Sequence, residues 1–433
     1  MKKVLIVSYY WPPSGGSGVQ RWMYFAKYLK ENGVEPIVVT IDPKDAAYPA
    51  IDESLLKHTE GIRVVHTSGG FQLIKLYSFL KSGSASKQIP VGNFGSERKT
   101  RMDKIAGYIR ANLFIPDARV GWNKKAIPVV RKLISEEKID TIITTGPPHS
   151  THLIGLKMQK ELTINWLADF RDPWVDVYYN QIFKRTVRSD QKDRAFELQV
   201  LKSADKIITV GPTLASMLSK RIDSSKVEII HNGFDEEAFS GIASKRYDEV
   251  TICHVGVWTT MQPYQIVADA LKRILSENQN LKLRFLIVGK AAVEIEKAFA
   301  GIDRLILDLR GKVSHSEALT EMKNADVLLN CLPIQENAEL IVSGKLMEYL
   351  ASGNKVLVLG KVNGDAGQVV RKAPHASIVE PDDANGIYQL LSDKIFSKRL
   401  SNLELPEELK MYSRKETAIK LSELIKRLPS RLK

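Results

Sequence analysis

The chain has 433 residues, 44% of them apolar and 26% charged, with a formal net charge of +13. That length exceeds one ordinary hydrophobic core, so two α/β domains of a globular protein are expected. No apolar run reaches the about 18 residues of a membrane span, and two cysteines do not make a disulfide framework.

Cys253 and Cys331 lie in apolar, strand-like runs. They read as small buried core residues in a reducing compartment. The opening MKKVLIVSYYW imitates a secretion signal. Its apolar run is short, contains two tyrosines and lacks a small-residue cleavage site, so a first strand is expected instead. The positive charge is compatible with nucleic acid, an anionic membrane surface or an anionic substrate. No RNA- or DNA-binding signature is present, so nucleic acid is set aside.

Lys3–Ser8 reads as a buried parallel strand, followed by a loop with Gly15, Gly16 and Gly18. Val19, Trp22, Ala26 and Leu29 recur at helical spacing, Gly33 closes that helix, and Pro36–Ile41 is the next strand. This unit calls for a parallel sheet with a right-handed crossover. Residues 82–105, with KSGSASKQ and GSERKTR, read as an exposed basic loop. Either it is a solvated insertion or it touches a membrane or an acceptor. Beyond it, Ala126–Glu137 is helical and Thr141–Thr144 a strand. His152–Glu161 is a helix, Ile164–Ala168 a strand and Asp193–Lys202 a helix. Lys206–Val210 is a strand, Thr213–Arg221 a helix and Val227–Ile230 a strand. HNGFD (His231–Asp235) makes a turn.

A second round starts near residue 249. Val250–Val255 is a strand ending at Gly256, Tyr264–Glu277 a helix and Lys282–Val288 a strand. Ser314–Asn324 is a helix, Val327–Leu332 a strand, Val356–Leu359 another, and Ala384–Ser392 a helix. Glu407 to about Leu428 reads as one amphipathic helix packing across the domain junction. The expected domains are 1–240 and 249–405, with 406–433 returning. Two doubly wound domains place their strand C-termini toward a shared cleft, the default ligand site of such sheets.

The most informative segment is SGKLMEYLASGNKVLVLG, Ser343–Gly360. Ser343 and Gly344 open a helix whose free backbone N–H groups and positive dipole end suit a phosphate. Lys345 on the first turn adds a point charge. Glu348, one turn on, repels phosphate and needs another partner, such as a pair of sugar hydroxyls. Phosphate and hydroxyls at one helix describe a nucleotide-sugar site.

Other segments extend this. They are SYYWPPSGGSGVQR, FIPDARVGW, TTGPPHSTHLIG, ADFRDPW, SADKIITVGPTLASML and HNGFD. Together with GKLMEYLASG, the chain resembles the retaining nucleotide-sugar glycosyltransferases of the GT-B fold, in the branch whose donor helix reads SKLFEYLASG. The resemblance implies two Rossmann-like domains facing across a cleft, the acceptor on the N-terminal domain and the nucleotide sugar on the C-terminal one. It also implies no metal and no cofactor beyond the donor. Glu348 would contact the ribose, with Lys345, Gly344, Ser343 and Gly256 beside the donor. Gly15 and Gly16, which a tight strand-to-helix turn also explains, would approach the donor phosphate or the acceptor.

In ADFRDPW, Asp169, Arg171 and Asp172 either form a structural salt bridge or supply a carboxylate that orients or deprotonates the acceptor hydroxyl. They are the candidate catalytic residues. His149 and His152 in GPPHSTH have a spacing compatible with a metal but no third ligand nearby, so acceptor contact or polar capping is expected. Two positions depart from the family pattern. Leu340 stands where an earlier glutamate belongs, and Val257 and Gln262 stand near where basic residues usually neutralise the diphosphate.

The expectation is therefore a cytoplasmic transferase, peripheral on the inner membrane face, joining a sugar to a glycan or lipid-linked glycan in cell-surface polysaccharide synthesis. Two alternatives remain at this stage: a non-catalytic relative that binds nucleotide or a partner protein, and a nucleotide-sugar epimerase or hydrolase on the same fold.

Overall fold

The computed structural model describes residues 1–48, 50–70, 101–177, 180, 185–398 and 405–431. Seven strands form the first sheet: β1 (Lys2–Val7), β2 (Val34–Ile41), β3 (Arg63–Thr67), β4 (Thr141–Gly146), β5 (Asn165–Phe170), β6 (Lys206–Thr209) and β7 (Val227–Ile229). Their order is β3-β2-β1-β4-β5-β6-β7, and every pair is parallel. Alternation along each strand feeds two cores. Leu5, Val7, Ile37 and Val39 enter one, while Val4, Ile6 and Val38 enter the other. Burial on both faces explains why these strands read as unbroken apolar runs.

The second sheet holds β8 (Val250–Val255), β9 (Leu283–Val288), β10 (Leu305–Gly311), β11 (Val327–Cys331), β12 (Lys355–Leu359) and β13 (Ala376–Val379). Its order is β10-β9-β8-β11-β12-β13, again parallel. Each sheet reverses direction once, between β1 and β4 and between β8 and β11. At such a point the two flanking crossovers diverge and leave a crevice beyond the strand ends. The glycine loop follows β1, Pro147–His152 follows β4, and Gly256 follows β8.

The chain divides into Met1–His231 with Thr417–Lys433, and Asn232–Glu416. The first boundary thus falls at 231/232 rather than at 240. Phe234 is buried in the second unit's core, and its N–H donates to the Tyr412 carbonyl at 3.2 Å. The single C-terminal helix expected from Glu407 is broken into Glu407–Lys410 and Arg414–Arg427. Arg414 N–H donates to the Phe234 carbonyl at 2.8 Å, and this pairing draws residues 411–413 out of helical geometry. Leu409 and Tyr412 then pack in the second unit, and Ala418, Leu421 and Ile425 in the first.

The expected basic loop lies outside the described residues from 82 to 100, and from Arg101 the chain is helical to Leu113. Among the strands and α-helices absent from the sequence reading are β3, β10, β13 and the helices Arg101–Leu113, Val293–Ala300 and Asp365–Val370. Among the described residues, no helix is long and apolar enough to cross a membrane.

Candidate functional site

In the first unit the site grows from one buried ion pair. Asp169, within β5, is fully buried. Arg21 donates to its Oδ1 at 3.0 Å, and Trp22 Nε1 and the Thr145 hydroxyl donate to its Oδ2 at 2.7 and 2.9 Å. Arg21 also donates to the Ile230 and His231 carbonyls. Asp169 is therefore a structural salt bridge, its two oxygens committed to three donors.

Arg171, just beyond the strand, is fixed by the Gly146 and Pro147 carbonyls at 3.0 and 2.6 Å. Its Nη1 lies 1.8 Å from where a Cβ on Gly18 would stand, so only glycine fits there. The guanidinium consequently sits against the first turn of the helix Ser17–Glu31. Gly16 caps this helix at φ +111° with open space where a Cβ would be. Gly15 does not share that role. It is buried, and its N–H donates to the Ala50 carbonyl. Arg171 brings positive charge to the loop and carries no proton in the chemistry, because a guanidinium stays protonated.

Asp172 differs from Asp169 in every respect that matters. It is half-buried, and no hydrogen bond or ion pair of its carboxylate is found among the described residues. Burial raises its pKa, Asp169 adds to this and Arg171 opposes it. A desolvated, unpaired carboxylate beside a fixed cation has the properties of a general base.

The two histidines also separate. His152 is fully buried, stacked on Phe170 at 4.7 Å and bonded through Nδ1 to the Thr144 hydroxyl at 2.8 Å. Burial first, then Arg171, pushes its pKa down to about 3. It is a neutral core residue, and the expected acceptor contact is not made by it. His149 stacks on Trp174 at 5.0 Å and lines a cavity that opens beside it. No group of three or more His, Cys, Asp or Glu residues that could hold a metal is found among the described residues.

In the second unit the helix Gly344–Ala351 is anchored by Tyr349, whose buried hydroxyl accepts the Val255 N–H at 2.7 Å. Lys345, one turn earlier on the same face, is thereby set beside the end of β8. Its Nζ lies 3.0 Å from where a Gly256 Cβ would be, and Gly256 has φ +110°. Lys345 contacts His254 Nε2 at 3.4 Å. His254 is buried, stacks on Trp258 at 4.5 Å and places Nδ1 3.1 Å from the Leu329 carbonyl. Nδ1 is then the donor to that carbonyl, which leaves Nε2 as acceptor for the ammonium. The sequence reading missed His254, because its role depends on a carbonyl from a different strand. Burial pushes the Lys345 pKa down to about 8, and no carboxylate is paired with it among the described residues.

Ser343 is the helix N-cap. Its hydroxyl accepts from Leu346 N–H at 3.2 Å and from Asn330 Nδ2 at 2.9 Å. The cap leaves the Gly344 and Lys345 amides without an intrahelical acceptor. Ser343 thus orders the turn rather than serving as a free ligand. Glu348 is largely buried and lies 2.9 Å from His315 Nε2. His315 opens a helix fixed by a Ser314–Glu317 capping box. Gln262, near where a basic residue belongs in the family, ties down its own loop. Its side chain accepts from Thr259 N–H at 2.6 Å and donates to the Cys331 carbonyl at 3.0 Å.

The sequence model of Glycosyltransferase Family 4 matches residues 94–238, about a third of the chain. No curated protein matches the chain in sequence. Among solved structures, the α,α-trehalose-phosphate synthase (UDP-forming) of Burkholderia xenovorans, in complex with glucose-6-phosphate, aligns over 98% of both chains. Its TM-score is 0.60 and its identity 11%. The lipopolysaccharide outer core galactosyltransferase WaaB, in its apo form, aligns over 99% of this chain and all of its own, with TM-score 0.59 and 13% identity. A putative UDP-N-acetylglucosamine 2-epimerase of Listeria monocytogenes aligns over 99% of this chain and 98% of its own, with TM-score 0.54 and 10% identity. At these identities the likeness is one of fold. The chain has the GT-B architecture of two Rossmann-like domains.

The contrast between the two aspartates is testable by thermal denaturation. Asp169→Ala leaves the buried Arg21 charge without its carboxylate, and a loss of about 3–5 kcal/mol is expected. Asp172→Asn removes an unpaired, desolvated charge, so its Tm is expected to equal or exceed that of the parent. A Tm for Asp169→Ala within a degree of the parent would contradict the structural assignment.

Proposed function

We propose that the chain is a glycosyltransferase. It moves a sugar from a nucleoside diphosphate to a hydroxyl of a glycan or lipid-linked glycan, with retention of configuration as the family resemblance implies. The observation that carries this reading is Lys345. A lysine with no carboxylate partner, held at a helix N-terminus beside Gly256 and one turn from Glu348, is suited to a diphosphate. Gly344 and Lys345 amides, the helix dipole and the ammonium meet the charge that develops on the leaving nucleoside diphosphate. Glu348 accepts from the ribose hydroxyls. The reading needs no metal, because these groups supply the positive charge. The family match over residues 94–238 supports the class.

In the first unit, Asp172 accepts the proton of the attacking acceptor hydroxyl, and Arg171 with the Gly16 turn steadies negative charge. The net charge of +13 fits a protein that works at an anionic membrane surface in cell-surface polysaccharide synthesis. The fold likeness to the putative epimerase supports a second reading, in which the donor alone reacts. Reaction without added acceptor separates the two.

A nucleoside diphosphate that binds only the native state raises Tm by mass action. A rise with one of UDP, GDP, ADP or dTDP is expected, and Glu348→Ala is expected to abolish it with the fold intact. An undiminished rise in that variant would remove Glu348 from the site.

The Lys345 pKa sets a pH dependence. Its folded value, about 8, lies below the ordinary 10.5. Between these values the native state binds fewer protons than the unfolded chain, so stability rises with pH across that window. Anion binding requires the protonated form, so affinity is full below about 8 and declines above it. Titration calorimetry should show this decline in the parent and a flatter profile in Lys345→Arg. Identical profiles would place the diphosphate elsewhere.

A further inference from the structure

The first unit contains a cavity of about 90 Å³ beside His149. It is bounded by the last turn of the helix Arg101–Leu113, by Pro147 and Pro148 after β4, and by Trp174, Asn180 and Arg185. One water needs about 10–15 Å³ by the same measure, so the space suits a group several waters in size.

Arg185 gives the cavity its chemical character. Its side chain is 10% exposed, and Nη2 is paired with Asp193 at 2.6 Å. Nε donates to the Ala111 carbonyl at 3.4 Å. Nη1 is buried and has no hydrogen-bond partner among the described residues. A buried cationic N–H left unpaired carries a desolvation penalty that an anionic oxygen removes. His149 adds a buried ring, one of whose nitrogens faces the Pro173 backbone. Burial first, then His152 and Arg171, holds it neutral, so one of those nitrogens is a donor.

The acids nearby are already committed. Asp117 accepts from Arg119 N–H, from Ser150 N–H and from the Ser150 hydroxyl, each at 2.8 Å. Asp193 accepts from Trp174 Nε1 at 2.7 Å and from Arg185. Arg110 adds a second guanidinium to the lining. Pro147 connects the cavity to the catalytic loop, since its carbonyl accepts from Arg171.

We infer that this cavity binds an anionic oxygen group, phosphoryl or carboxylate, carried by the acceptor. Arg185 Nη1 is the principal donor, with His149 and Arg110 beside it. The acceptor is then a phosphate- or carboxylate-bearing saccharide rather than a neutral one. This inference rests on the transferase reading for the word acceptor, and on the cavity alone for the anion.

The test titrates the full chain with inorganic phosphate and with acetate at constant ionic strength, in the parent and in Arg185→Lys, Arg110→Gln and Lys345→Ala. Arg185→Lys keeps a cation for Asp193, and circular dichroism and Tm establish that each variant folds. At least a tenfold weaker affinity for one of the two anions is expected in Arg185→Lys, and a smaller loss in Arg110→Gln. Nucleoside diphosphate affinity is expected to be unchanged in both. A soluble sugar phosphate and vesicles carrying a long-chain alkyl phosphate then compete for the site. Displacement by the first assigns a soluble acceptor, and by the second a lipid-borne one. Anion affinity unchanged in both folded arginine variants, or lost only in Lys345→Ala, would overturn the inference. Anion binding at the cavity without any nucleotide binding would keep this site and remove the transferase reading instead.

Discussion

Asp169 is the point on which the first unit's chemistry depends. Three donors from two segments converge on one buried carboxylate: Arg21 and Trp22 from the first helix, and Thr145 from β4. Removing either charge leaves the other in a low-dielectric interior, which is what makes the arrangement rigid. With the helix start and two strand ends tied together, the next residues along β5 have little freedom. Arg171 lies over Gly18, and Asp172 follows it with a carboxylate that has no partner among the described residues. One acid is committed to structure, while another, three residues on, keeps a half-buried carboxylate.

The second unit solves a similar problem without a buried ion pair. Tyr349 anchors its helix to the end of β8, and the glycine at 256 makes room for an ammonium that has no acid paired with it among the described residues. Desolvation disfavours the charged form of Lys345 and holds its pKa down to about 8. His254 accepts from it and is itself oriented by the Leu329 carbonyl. Gln262 is spent on holding its own loop.

What was legible in the sequence follows physical lines. The helices His152–Glu161 and Tyr264–Glu277 and strand β8 were read to the residue, because apolar periodicity or a continuous buried run marks both of their ends. β3, β10 and β13 were missed. Each lies at a sheet edge, and Asp308 and Arg310 interrupt the apolar run in β10. An edge strand is half-exposed and lacks the continuous signal of a central one. At the site, the motif SGKLMEYLASG identified the helix but not the bond between Ser343 and Asn330, nor the approach of Lys345 to Gly256, 89 positions away. Asp169 and Asp172, and His149 and His152, could not be ranked, since three residues of separation decide which side chain is committed to a partner only once strand and helix ends are fixed. The arginine at 185 left no sequence signal. Its significance lies in a cavity assembled from three distant segments.

The most direct test of the account is to incubate the protein with a panel of nucleotide sugars, with and without a glycan and lipid-linked-glycan extract, and to follow nucleoside diphosphate release by mass spectrometry. The account predicts release from one donor, dependent on the extract, and lost in Asp172→Asn while that variant still binds the nucleotide. Release that needs no acceptor, or no release from any donor, would contradict it.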